Sequence, residues 1–178
     1  MSRNDEVKRA YPDGIGKEHE SPRGGLRRHA SPLSLGVFGA VIVLGLIGAL
    51  GHERDWRSED QGVRLTVHAP EIIRNGEFLE MRIEVEAASG VEDLTIGVDS
   101  ALWEDMTVNT MIPAAGEEIS TNGEFRFAFG PIEPGTTFDL KIDLQVNPDI
   151  VGSNAGAIAV YDGDQLLTMV DIGVVVLP

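Results

Sequence analysis

The feature that most constrains this chain is an uninterrupted apolar run, LSLGVFGAVIVLGLIGALG, at Leu33–Gly51. It carries no charge, and Ser34 is its only polar side chain. At about 1.5 Å per residue, a helix of this length crosses roughly the hydrocarbon thickness of a bilayer. A small protein has little room to bury a helix that is apolar on all sides. The sequence therefore predicts a transmembrane helix over residues 32–51, with the lipid bilayer as the partner of residues 33–51.

The residues that flank this run predict its orientation. Arg23, Arg27 and Arg28 precede it, acids outnumber bases over residues 53–60, and Trp56 lies where an aromatic anchor is expected. The positive-inside rule then predicts a single-pass protein of the cell (inner) membrane, with a cytoplasmic N-terminus and a periplasmic or extracellular C-terminal domain. A cleaved signal peptide is the alternative, since Ala49-Leu50-Gly51 resembles a cleavage site. The long N-terminal region and the long apolar run favour an uncleaved anchor.

Small residues recur four positions apart within the run, at Gly36 and Ala40 and again at Gly45 and Ala49. This spacing allows two membrane helices to approach closely, so we predict that these four residues pair the helix with another helix. Gly and Ala are also common in membrane helices that do not pair, and that alternative stays open.

From Val63 onward the apolar residues recur at every second position. Val63–Ala69, Leu79–Ala87 and Phe138–Val146 each alternate apolar with polar side chains, as in strands with one buried and one solvated face. Turn signals such as Asn75-Gly76 and Asp162-Gly163-Asp164 separate the runs. Seven or eight short strands at this spacing predict an all-β fold, an antiparallel immunoglobulin-like sandwich.

These patterns divide the chain into four parts. Residues 1–31 mix charges with Gly and Pro, which predicts a disordered cytoplasmic tail. The membrane helix follows at 32–51, a juxtamembrane linker at 52–62, and an extracytoplasmic β-sandwich domain at 63–178.

Two segments carry a resemblance to a known family. Gly76–Val85 (GEFLEMRIEV) resembles the second strand of bacterial immunoglobulin-like modules of the adhesion and cell-surface type. Pro131–Leu140 (PIEPGTTFDL) resembles the part of those modules where a proline-glycine turn precedes a long alternating strand. The resemblance covers about residues 62–178. It implies a sandwich that binds proteins or carbohydrates, or that acts as a spacer, and it brings no catalytic residues. Without cysteine, the Cys…Trp…Cys core of antibody domains is missing.

The distribution of charge excludes several functions. Residues 1–31 hold seven Lys/Arg and five Asp/Glu, and the chain from His52 onward holds seven against 24, so balances of +2 and −17 make up the net charge of −15. A domain this acidic repels phosphate groups, which excludes nucleic acid as its partner. The lack of cysteine excludes disulfides, thiolate metal ligands and a cysteine nucleophile.

The sequence contains no pattern typical of a metal site or a catalytic site. Asp162-Gly163-Asp164 lacks the further oxygen ligands of a calcium loop, and Asp99, Glu104 and Asp105 are typical of a solvated loop. The histidines beyond the apolar run are not paired at ligand spacing. There is no Gly-x-Ser-x-Gly motif and no phosphate-binding loop. We therefore predict no metal, no cofactor and no enzymatic activity.

One stretch, Ala101–Ala115 (ALWEDMTVNTMIPAA), breaks the alternation and gathers large apolar side chains beside acidic ones. Aromatic residues and methionine are enriched at the centres of interfaces. The stretch is thus a candidate partner-binding segment, with Leu102, Trp103, Met106, Met111 and Ile112 as its contact residues. The pattern favours the alternative that Trp103 and Met106 fill the core and that the following residues cross between the sheets.

These features together predict an interaction module that binds another membrane or envelope protein through the helix and the 101–115 segment. Its role would be that of an accessory or scaffolding subunit of an envelope membrane complex. The alternative is a receptor domain that binds a cation such as calcium, or another ligand such as a glycan. An enzyme on a sandwich scaffold ranks third.

Overall fold

The computed structural model describes residues 25–47, 53–147 and 151–178, with side chains from Pro32 onward in the first of these segments. The chain divides into two compact units, Met1–Ile47 and Gly48–Pro178. Of the predicted disordered tail, residues 1–24 lie outside the described residues, whereas residues 25–31 belong to a helix.

That helix, α1, spans Gly25–Leu46 and corrects our membrane prediction, which is wrong. Among the described residues, no helix is long and apolar enough to cross a membrane. Helix α1 begins before the apolar run, contains Pro32 and ends at Leu46. Its apolar part from Leu33 is therefore about 21 Å long, against roughly 30 Å of hydrocarbon. The predicted membrane localisation and orientation depended on this span and are wrong with it. The predicted lipid contact depended on it too and is not shown.

The part of the chain that the structure describes contains one helix, so it does not test whether the predicted helix-pairing residues meet a second one. Gly36, Ala40 and Gly45 lie on α1 and are exposed, while Ala49 lies outside the described residues. A Cβ placed on Gly36 would meet nothing within 4 Å. The pairing of these residues stays a prediction, without the membrane argument that first supported it.

The second unit is a two-layer β-sandwich. The first sheet has the strand order β1-β2-β4-β9-β6, and the second has the order β3-β11-β10-β5-β8-β7. Every pairing is antiparallel except that of β3 with β11. The predicted antiparallel β-sandwich is thus confirmed as a mostly β, predominantly antiparallel one. The predicted number of seven or eight strands is wrong, since the described residues form eleven. The described strands are β1 Glu53–Asp60, β2 Val63–Pro70, β3 Ile72–Arg74, β4 Phe78–Ala87, β5 Val91–Asp99, β6 Met106–Ile112, β7 Glu117–Thr121, β8 Glu124–Ile132, β9 Thr137–Val146, β10 Gly152–Asp162 and β11 Gln165–Leu177.

The central strands form because their alternating residues bury one face. In β4 every second residue from Leu79 to Ala87 is buried, and the residues between them are exposed or half-buried. The register with β9 sets Met81 opposite Ile142 and Ile83 opposite Leu140, so the apolar faces of both strands coincide. These side chains are at most 1% exposed, and they form the middle of the core between the two sheets.

The predicted linker at 52–62 instead contributes strand β1, which pairs with β2 along its whole length. Trp56, expected as an aromatic membrane anchor, is buried in the core. It lies opposite Val67 of β2, whose buried face it extends. A strand that is charged or polar apart from one buried tryptophan carries almost no period-two signal, which is why the sequence did not predict it.

The two long sides of the sandwich differ. On one side β1 contacts β11. There Thr168 Oγ1 donates a hydrogen bond to Ser58 Oγ at 2.9 Å, and Gln61 Nε2 donates to the carbonyl oxygens of Leu166 and Leu167 at 3.0 and 3.2 Å. We call this the closed side. On the other side the sheets end in the edge strands β6 and β7. We call this the open side, and it holds the candidate site.

Candidate functional site

A groove of about 410 Å³ lies on the open side, between β6 of the first sheet and β7 and β8 of the second. We call it the β6–β7 groove. Its apolar lining comes from Trp103, Met106, Val108, Met111, Phe125 and Phe127. Glu118, Ile119 and Ser120 of β7 complete it. The groove thus opens onto aromatic rings and thioethers that belong to the sandwich interior.

Strand β6 supplies one wall, and its irregular backbone decides which side chains face the groove. The register with β9 shifts between Val108 and Thr110, which marks a β-bulge at Asn109. Because the extra residue changes the alternation, Met106 and Val108 before the bulge and Met111 after it all line the groove. The strand ends before Pro113, which has no amide hydrogen to continue the ladder.

Strand β7 supplies the other wall and is regular. Glu118 lies opposite Phe127 and Ser120 opposite Phe125, with no register shift along the pair. Residues directly opposite each other in an antiparallel pair project from the same face of the sheet. Glu118 and Ser120 therefore share the inner face with the two phenylalanines.

Trp103 forms the floor of the groove. It sits in the turn between β5 and β6, where the Met106 amide donates to the Trp103 carbonyl oxygen at 3.0 Å. Its ring is 6.3 Å from that of Phe125 and 5.8 Å from that of Phe127, centroid to centroid. The side chain is only 6% exposed, and its indole Nε1–H is buried without a hydrogen-bond acceptor. A buried donor without an acceptor costs about 1–3 kcal/mol.

The structure brings three of the five predicted contact residues together. Trp103, Met106 and Met111 line the groove. Leu102 is buried in the core, and Ile112 is 59% exposed outside the lining. The alternative placed Trp103 and Met106 in the core, and Trp103 is buried there with Met106 packed against it. No sequence pattern singles out Val108, Glu118, Ile119 and Ser120, which lie on edge strands. Phe125 and Phe127 lie at alternate positions of the sequence, but their contact with Trp103 depends on the fold.

One carboxylate, Glu118, lines the groove, and none of the described lining residues is a cation. The segment from Ala101 to Gly123 contains Glu104, Asp105, Glu117 and Glu118 and no Lys or Arg. None of these four carboxylates forms an ion pair with another described residue. A groove flanked in this way attracts cationic groups.

The cations nearest in the sheets are already engaged. Arg126 Nε lies 2.7 Å from Glu124 Oε2, and Lys141 Nζ lies 3.0 Å from Glu80 Oε2. Burial, and then donation of its hydroxyl to Glu124 Oε1 at 2.8 Å, raise the pKa of Tyr161. The hydrogen bond to Glu124 likewise raises the pKa of Arg126, so both groups keep their protons at neutral pH.

No group of three or more His, Asp or Glu side chains that could hold a metal ion occurs in the part of the chain that the structure describes. Asp162 instead accepts a hydrogen bond from the Asp93 amide at 2.8 Å, within the turn that joins β10 to β11. His68 Nδ1 lies 2.7 Å from Asp55 Oδ1 on the outer face of the first sheet.

No family model and no curated protein matches this chain. Solved structures similar to it include the chitin-binding domain of a chitinase from Pyrococcus furiosus, with 16% identity over 64% of this chain and 100% of that one, at a TM-score of 0.41. A second is CaCohA2 from Clostridium acetobutylicum, with 15% identity over 66% and 92% and a TM-score of 0.45. A third is a non-cellulosomal cohesin from Archaeoglobus fulgidus, with 10% identity over 60% and 86% and a TM-score of 0.40. Similarity at this level assigns neither a ligand nor a partner.

Proposed function

We propose that the β-sandwich is a protein-interaction domain that receives an apolar segment of a partner protein in the β6–β7 groove. Its role is binding, as an accessory or scaffolding subunit, and not catalysis. The observation that carries the proposal is the groove itself, where Met106, Met111 and Phe125 are half-buried at an opening above the buried Trp103.

The lining has the character of an interface centre. Aromatic residues and methionine dominate binding hot spots, because their large side chains are desolvated when a partner covers them. Methionine is unbranched and adapts its shape to different ligands. Met106 and Met111 are both only half-buried, so a partner could still cover them.

The rims of the groove add exposed apolar surface. Val108 of β6 is 41% exposed and Ile119 of β7 is 50% exposed. Single exposed apolar side chains are ordinary, but contiguous ones around a concave opening are typical of a binding surface. A ligand that entered between the two strands would cover both rims and the floor at once.

A display experiment tests the proposal. A library of random peptides would be selected against the full-length chain, and the enriched peptides measured against two variants, Val108→Asp and Val175→Asp. The pair is matched, since Val175 is 39% exposed on β11 and does not line the groove. We expect Val108→Asp to weaken binding by at least tenfold, about 1.4 kcal/mol, and Val175→Asp to leave it within twofold. Circular dichroism and thermal melting would check that both variants fold.

Two results would overturn the proposal. One is a selection that enriches no peptide. The other is a set of peptides that both aspartate variants weaken equally, since binding would then not depend on the groove.

A further inference from the structure

We propose that the partner segment adds as a strand to the free edge of β7, with a lysine or arginine two positions from its apolar anchor. This rests on the proposed function and names the chemistry of the partner. The ligand is an extended peptide whose basic side chain pairs with Glu118 and whose apolar side chain enters the groove beside Ser120.

Of the two edges at the groove, β7 is the better template for a new strand. Strand β6 is interrupted by the bulge at Asn109 and is followed directly by Pro113. Both features hinder a continuous ladder of backbone hydrogen bonds. Strand β7 pairs with β8 in unbroken register over Glu117–Thr121, and it is the last strand of its sheet. Its outer backbone groups are therefore regularly spaced and available for strand addition.

The pleat of β7 fixes which side chains of an added strand enter the groove. Glu118 and Ser120 project from the inner face of the sheet toward the groove. Glu117 and Ile119 alternate with them and project from the outer face, with Ile119 at the rim of the groove. Residues of an added strand that lie opposite Glu118 and Ser120 project to the same side as those two. They are two positions apart because strand side chains alternate between faces.

The two positions have different surroundings. The one opposite Ser120 faces Phe125, Trp103 and the methionines, which favours an apolar side chain. The one opposite Glu118 faces a carboxylate that has no ion pair among the described residues. Opposite charges across a strand pair stabilise it, so this position favours lysine or arginine.

Charge also argues against a second copy of this chain as the occupant. The chain from His52 onward has a balance of −17. Edge-to-edge pairing of two copies at β7 would bring two domains of the same strongly negative charge together, which is unfavourable, whereas a basic segment is attracted.

The test uses peptides enriched on the full-length chain and the matched variants Glu118→Gln and Glu117→Gln, which remove the same charge from opposite faces of one strand. We expect the peptides to carry Lys or Arg two positions from an apolar residue. We expect Glu118→Gln to weaken binding by about fivefold or more and Glu117→Gln by less than about twofold. Binding to the unaltered chain should weaken between about 50 mM and about 500 mM NaCl, and Glu118→Gln should flatten this dependence.

Two further measurements address the geometry. Glu118→Lys should bind peptides in which the basic residue is replaced by glutamate, which a merely structural role of Glu118 would not produce. Methylation of alternate peptide amides should abolish binding for one alternate set and spare the other, because only one set faces β7.

The outcomes separate this proposal from the previous one. Peptides that depend on Val108 but carry no basic residue, or that respond equally to Glu117→Gln and Glu118→Gln, would overturn the basic-strand proposal and leave the groove proposal standing. A selection without any Val108-dependent peptide would overturn both. A dimer in sedimentation that Val108→Asp dissociates would mean that a second copy covers the groove, and would also overturn the basic-strand proposal.

Discussion

The closed and open sides of the sandwich solve the same problem in opposite ways. Each side must end two sheets whose inner faces are apolar. On the closed side, Thr168 and Ser58 bond to each other and Gln61 reaches two carbonyl oxygens of β11, so polar groups seal the core. On the open side no comparable hydrogen bond joins β6 to β7 among the described residues, and a groove exposes aromatic and thioether surface. Hydrogen bonds join the two sheets on the closed side of this fold. On the open side, where none does so in the described part of the chain, a ligand would cover the exposed apolar surface.

The edge strands support the same conclusion. An exposed sheet edge invites uncontrolled pairing, and proteins limit this with bulges, short strands and inward-pointing charges. The open side has all three, in the bulge of β6, the short β7 and the inner-face carboxylate of Glu118. Such an edge disfavours non-specific strand pairing but accepts a strand that neutralises the Glu118 carboxylate.

The largest effect should distinguish the packing of the two sides. Leu65 of β2 is fully buried toward the closed side, whereas Met111 of β6 is half-buried at the groove. We expect Leu65→Ala to lower the free energy of unfolding by about 2–5 kcal/mol and Met111→Ala by less than about 1.5 kcal/mol. Urea unfolding followed by circular dichroism would measure both. Equal losses would break the comparison, since the open side would then be packed as tightly as the closed one.

Much of the sandwich could be predicted from the sequence, and the reason is visible in β4 and β9. Both alternate apolar and polar residues without interruption, because each buries one face and hydrates the other. Strand β1 could not be predicted, since Trp56 is its one fully buried side chain. The apolar run at Leu33–Gly51 led to a wrong membrane prediction, because that prediction depended on composition. Composition indicates how apolar a segment is, but not where its helix begins and ends.

The candidate site was predictable only in part. The cluster of Trp103, Met106 and Met111 could be found because large apolar residues there interrupt a clean alternation. Their contact with Phe125 and Phe127 around one groove could not be predicted, because it depends on which strands pack against each other across the sandwich. The same holds for Glu118, which reads as one more surface acid until its register opposite Phe127 is known.

A smaller effect should test the seal of the closed side. Thr168 is 3% exposed and its Oγ1 donates to Ser58, whereas Thr107 of β6 donates to Asn147 Oδ1 at 3.2 Å in an exposed position. We expect Thr168→Val to cost about 1 kcal/mol of unfolding free energy, because it leaves the half-buried Ser58 hydroxyl without this partner. The matched variant Thr107→Val should cost less than about 0.5 kcal/mol, since water replaces its partner. If the two valine variants proved equally stable, the polar contact would not be what closes that side.

The smallest expected effect on stability comes from the ion pair between β4 and β9, the strand next to β6. Strand β9 carries β6, and Asp139 of β9 accepts hydrogen bonds from Arg82 Nε on β4 at 2.8 and 3.0 Å. The bond to Arg82 lowers the pKa of Asp139, so this carboxylate stabilises the fold at pH values above its unfolded-state pKa, and the contribution is lost as the pH falls through the folded-state pKa.

Asp139→Asn should therefore lower the urea midpoint at neutral pH by less than Thr168→Val does. The deficit should begin to shrink as the pH falls below about 4 and vanish below the folded-state pKa of Asp139. In hydrogen exchange, the β6 amides should lose more protection than those of β1, because only β6 depends on β9 for its pairing. A double-mutant cycle with Arg82→Gln isolates the pair. A deficit that persists in acid, or an equal loss of protection in β1, would mean that the ion pair does not support the open edge in particular.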